Sequence, residues 1–89
     1  MTTEAIEDSI EGMQLYIDNV PKQAQEQVDA IQRNIEYHKA NLEVMPDSVI
    51  DKAQLQEQEE ALARALHTKA EVDRIAASLE SEIKLRMAK

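Results

Sequence analysis

The apolar residues of this chain recur three and four positions apart almost from end to end, and only two prolines interrupt them. That spacing is the mark of helices with one buried stripe. No β-branched run alternates with period two, so strands have no support. Ala, Glu, Gln, Leu, Lys and Arg dominate, while a single Gly and two Pro leave little material for loops. The chain is expected to be all-α. Its 89 residues make one domain, and with 43% hydrophobic residues it is too apolar to be a disordered segment. Tyr16 and Tyr37 are the only aromatic residues, so the core is aliphatic.

The main interruption, Met45-Pro46-Asp47-Ser48, stands close to the middle. Proline disfavours helix for the residue before it and stops a helix arriving from its N-terminal side. Asp47 or Ser48 can then cap a new helix, because a short oxygen-bearing side chain accepts from the orphan amides of the first turn. Ser48-Val49-Ile50-Asp51 approximates a capping box, with Asp where Glu or Gln is usual. A single helical domain over residues 1–89 follows, with a first arm at about 4–44, a turn at 45–48 and a second arm at about 49–87. Pro21 disturbs the first arm. Either the arm is kinked there or it breaks near 19–21, which would give a three-helix arrangement with a long third helix.

In the first arm the stripe runs through Ile6, Ile10, Met13, Ile17 and Val20, and resumes through Ala24, Val28, Ile31, Ile35, His38, Leu42 and Met45. In the second it runs through Leu55, Leu62, Ala65, Leu66, Val72, Ile75, Ala76, Leu79, Ile83 and Met87, with Leu66 and Ile75 beside the main line. Folding the chain at the turn sets residues equidistant from it face to face: Leu55 against His38, Leu62 against Ile31, Ala65 against Val28 and Ile83 against Ile10. Gly12 falls opposite Ser81, which admits close approach of the backbones, and the acidic start meets the basic end, with Glu7 near Arg86. A long antiparallel helical hairpin of coiled-coil type is therefore expected. Glu60–Arg64, Glu80–Lys84 and Glu82–Arg86 are candidate ion pairs along the second arm. His38, Gln58 and Lys69 interrupt the seam. They either fix register or lie at a solvated edge, or they mark where a partner docks. Lys69 is also placed to satisfy a carbonyl near Ile17 that Pro21 leaves without an amide.

Net charge of −8 argues against direct nucleic-acid binding and against anionic membranes, both of which call for basic patches. It permits a basic partner or mimicry of a polyanion. Without cysteine, disulfides and thiolate metal sites are excluded. No basic segment followed by an apolar run opens the chain, and no apolar run approaches the roughly 18 residues that span a bilayer, so the expectation is a soluble, cytoplasmic protein. His38 and His67, the only histidines, lie about three helical turns apart in the fold-back register. Neither follows a Glu at the spacing of di-iron bundles, and no HExxH occurs. No serine has a base beside it, and the lone Gly12 makes no phosphate loop. No catalytic, metal or cofactor residue is expected, and the protein is not expected to be an enzyme.

Two surfaces are candidates for binding. The turn carries Val44, Met45, Val49 and Ile50, which either pack locally between the helix ends or form an apolar tip that docks into a partner. Leu66 and Ile75 flank the second arm's stripe and give it more apolar surface than one neighbour covers. That favours an oligomeric bundle, a symmetric dimer first and a hetero-complex second. A candidate acidic surface comprises Glu4, Glu7, Asp8 and Glu11.

The string Leu55-Gln56-Glu57-Gln58-Glu59-Glu60-Ala61-Leu62, after a helix ending in Leu42 and a proline-containing turn, resembles the small helical-hairpin co-chaperones of type III secretion needle subunits. The resemblance covers about half of the chain, the acidic N-terminal arm departs from the pattern, and no functional residue is carried over. The expected function is that of a non-catalytic helical-hairpin interaction module, a small assembly factor, adaptor or co-chaperone. The alternative is a small acidic phage-type inhibitor that binds a basic or nucleic-acid-binding surface of a host protein by polyanion mimicry.

Overall fold

A computed structural model describes residues 9–88 and shows two long helices, α1 (Ile10–Val44) and α2 (Val49–Met87), laid against each other as a hairpin. The rod measures 63 × 25 × 15 Å. Ser9 is extended and its hydroxyl accepts from the Gly12 amide at 2.9 Å, which fixes the start of α1. Residues 1–8, with the expected stripe residue Ile6, lie outside the described residues. At the turn, the Met45 amide donates to the Asn41 carbonyl at 2.8 Å, and Pro46 prevents the helix from continuing. Ser48 caps α2 as expected, its hydroxyl accepting from the Asp51 amide at 3.2 Å. Lys84 and Arg86 occupy the last turn of α2, at the negative end of its dipole.

The break expected near 19–21 is not formed, and neither is the third helix: α1 runs through Pro21 without interruption. Proline's fixed φ is compatible with helix, and what it removes is one donor, the amide that would pair with the Ile17 carbonyl. Ile17, Val20 and Ala24 are covered by α2 on both sides of the proline. Packing along α2 thus holds the helix where propensity alone would end it.

Among the described residues the buried apolar ones are Met13, Ala24, Val28 and Ile35 from α1 and Ala65, Ala76 and Ile83 from α2, all at expected stripe positions. Ile17, Ile31, Leu42, Leu55, Leu62, Val72 and Leu79 stay half-buried. Among the described residues no large side chain is completely enclosed. Two helices share a single seam, so many of its large aliphatic residues are covered on one side only.

Of the expected ion pairs, Glu82–Arg86 forms at 3.1 Å, whereas Glu60–Arg64 and Glu80–Lys84 do not. Lys69 pairs with Asp73 at 2.8 Å and Arg74 with Glu71 at 2.6 Å. Lys69 therefore turns to its own helix and not to the carbonyl near Ile17. The hydrogen bond from Arg74 lowers the pKa of Glu71 and raises that of the guanidinium. Among the described residues no helix is long and apolar enough to cross a membrane.

Pro costs about 3 kcal/mol relative to Ala in a helix interior. Pro21→Ala restores a donor for the Ile17 carbonyl and is expected to raise the thermal midpoint read by circular dichroism. An unchanged or lower midpoint would show that the site has adapted to proline.

Candidate functional site

The tip of the hairpin is held by one carboxylate. Asp51 lies in the first turn of α2 and is buried. Its Oδ1 accepts from His38 Nδ1 at 2.9 Å and from Asn41 Nδ2 at 3.1 Å, both on α1. Its Oδ2 accepts from the Ser48 hydroxyl at 2.7 Å. In a capping box a Glu at this position reaches back to the cap residue's amide. Asp is one methylene shorter, so it takes the cap's hydroxyl instead and keeps its other oxygen free to cross to α1. The bonds from His38, then Ser48, then Asn41 lower the Asp51 pKa from 3.8 to about 2. An ionised carboxylate only accepts, so His38 Nδ1 carries the proton in this bond. The Tyr37 ring stands edge-on to the imidazole, with centroids 5.2 Å apart.

His38 thus acts as a polar seam residue that ties one helix to the other, and its partner is one helical turn nearer the tip than the Leu55 expected from simple fold-back. The signal was present in the sequence. Asp51 stands one turn before Leu55 on the same stripe, where an ionisable residue calls for a partner across the seam.

Beyond this clasp the tip is open. Val44 is 82% exposed, Val49 and Ile50 are each 76% exposed, and Met45 is 58% exposed. These four side chains lie at one end of the rod and are not covered by packing between the helix ends. Leu66 and Ile75 are also exposed. They are about two and a half turns apart and therefore point to opposite sides of α2, so one neighbour cannot cover both. Ile75 lines a groove of about 240 Å³ with Gly12, Met13, Tyr16 and Leu79, near the open end of the hairpin. Of the acidic candidates, Glu11 is exposed in the first turn of α1, while Glu4, Glu7 and Asp8 lie outside the described residues.

His67 is exposed, and among the described residues no three His, Asp or Glu side chains converge as metal ligands. What the arrangement offers chemically is apolar surface on a braced frame. No known family model, curated protein or solved structure matches the chain.

Because the Asp51 carboxyl is held below its ordinary pKa, the native state takes up a proton less readily than the unfolded chain. The stability this contributes is complete above pH 3.8 and is lost as pH falls toward about 2. Urea midpoints measured across that window should fall for the wild type. Asp51→Asn should be less stable at neutral pH and should lack this step. Parallel profiles for the two proteins would show that the clasp adds no linked stability.

Proposed function

We propose that this chain is a non-catalytic protein–protein interaction module, a small assembly factor, adaptor or co-chaperone that works by apolar helix packing. The observation that carries this reading is the open tip: Val44, Met45, Val49 and Ile50 stand in solvent on a turn braced by the Asp51 clasp. Burying each such aliphatic side chain against a partner gains roughly 1.5–3 kcal/mol. The clasp orders both helix ends beforehand, so docking costs little further conformational entropy. Within this reading, α1 bends at Pro21, where its hydrogen-bond ladder lacks one rung.

Self-association belongs to the same proposal. A chain this short buries a low fraction of its surface, and seam residues such as Ile17, Ile31, Leu55, Leu62 and Leu79 are only half covered. Disulfides, the common remedy in small folds, are excluded by the absence of cysteine. A second copy is the favoured partner and another protein the competing one.

Replacing Val44, Val49 and Ile50 together with Ser is expected to abolish capture of partners by the tagged hairpin while leaving the helix signal intact. Capture by the wild type should change little between low and high salt, because apolar packing is not screened. Steep weakening with salt, together with undiminished capture by the tip variant, would overturn this reading in favour of the acidic mimic.

A further inference from the structure

Two lines of residues run beside the seam, and they differ in charge. On α1 the position immediately before each seam residue is uncharged, as at Gly12, Tyr16, Gln23, Gln27, Ala30 and Asn34. On α2 the positions before Leu55, Leu62, Lys69 and Ala76 are Gln54, Ala61, Thr68 and Ile75, also uncharged, while those before Gln58, Ala65 and Val72 are Glu57, Arg64 and Glu71, of which Glu71 pairs with Arg74 at 2.6 Å. Tyr16 and Gly12 share the groove with Ile75, so the two lines border one face of the hairpin. The next residue on the α2 line, Glu82, is neutralised by Arg86 of its own helix at 3.1 Å. The positions immediately after the seam residues lie on the other face and carry Glu11, Asp18, Asp29, Glu36, Glu43, Glu59, Asp73 and Glu80 against Lys39, Lys52 and Lys84, with Leu66 among them.

We infer that a second copy of this chain covers this near-neutral face in antiparallel orientation, with Met45 and Ile50 of each copy seated in the groove of the other. The inference rests on the interaction-module reading and names its partner. A symmetric interface sets a surface against itself. For a chain of net charge −8, the carboxylate-rich face would meet its own like charges, whereas the near-neutral face, where Arg64 offsets Glu57 and Arg74 and Arg86 pair with Glu71 and Glu82, meets far less repulsion. The broad side of the rod, 63 by 25 Å, is also large enough. A standard interface takes about 800 Å² per partner.

The spacing of features along this face sets the orientation. Ala30 and Ala61 lie level with each other, since each is equally far along its helix from the groove pair Tyr16 and Ile75. Both are half-buried and small, which lets a second pair of helices approach closely at this point. At 1.5 Å per residue the groove lies about 21 Å from the alanines toward the open end, and Met45 about 22 Å from them toward the tip. A twofold axis through the alanines therefore lays each tip over the other copy's groove. Ile50, immediately before the seam position Asp51, belongs to this face, Met45 stands at the turn beside it, and both are exposed. A parallel pair would instead set tip against tip and leave both grooves empty.

Light scattering at micromolar concentration should give twice the chain mass for the wild type. Ile75→Glu and Thr68→Glu should give the chain mass with unchanged helix content. Thr68 is exposed, so its variant charges the face without touching the seam. Leu66→Glu, on the opposite side of α2, should stay dimeric. The chain has no cysteine, so oxidation of a mixture of Tyr16→Cys and Met45→Cys chains should join one to the other, and Tyr16→Cys alone should not cross-link. A monomeric wild type, a dimer lost in Leu66→Glu but kept in Thr68→Glu, or Tyr16→Cys chains joined to each other would each overturn the inference. If the wild type is monomeric but still captures another protein through its tip, this inference fails and the interaction module stands. If the tip variant also retains every partner, both fail.

Discussion

The hairpin depends on the set of hydrogen bonds that Asp51 accepts from His38, Asn41 and Ser48. Aliphatic stripes repeating every three or four residues match one another in several registers, and a slip by a heptad would still set apolar against apolar. A buried carboxylate tolerates no such slip, because displaced from its donors it would stand desolvated and unpaired. One polar residue on the stripe thus selects among arrangements that the apolar residues alone leave nearly equivalent. The same bonds orient the turn, and so the apolar tip, relative to both helices.

Much of the fold was legible in the sequence because it follows from local rules. The three-four spacing located every buried apolar residue, from Met13 to Ile83. Pro46 located the turn, and Ser48 the cap of α2. Pro21 was harder to read. The local rule says that a helix bends or stops there, and whether it does depends on how much of its surface another helix covers. The ion pairs were equally hard, since exposed Glu and Lys side chains on a helix have several neighbours of nearly equal energy. Lys69 chose Asp73 for that reason. At the tip, the apolar character of Val44, Met45, Val49 and Ile50 was plain from the sequence, but their exposure was not. The partnership of Asp51 with His38 needed the pairing of the two arms to one turn's accuracy, which simple equidistance from the turn did not supply.

Composition explains why the interior stays incomplete. Two of the three buried apolar residues of α2 are alanines, which bring the helices together but bury little area. The larger residues Leu55, Leu62, Val72 and Leu79 stand at the edge of the seam, partly covered. A third or fourth helix would complete their burial. The same residues thus serve as the inner wall of the hairpin and as the floor of a surface open to association.

The clasp joins residues close together in the chain. His38 and Asp51 are separated by little more than the turn itself, so bringing them together closes a short loop at small entropic cost. Asn41 and Asp51 close a shorter loop still, and the aliphatic packing beyond the clasp spans longer ones that grow steadily toward Met13 and Ile83. The most specific contact is therefore also among the cheapest to form. This ordering favours assembly that begins at the tip and zips toward the open end, each layer shortening the effective loop for the next. The open end, joined last, is the first to fray.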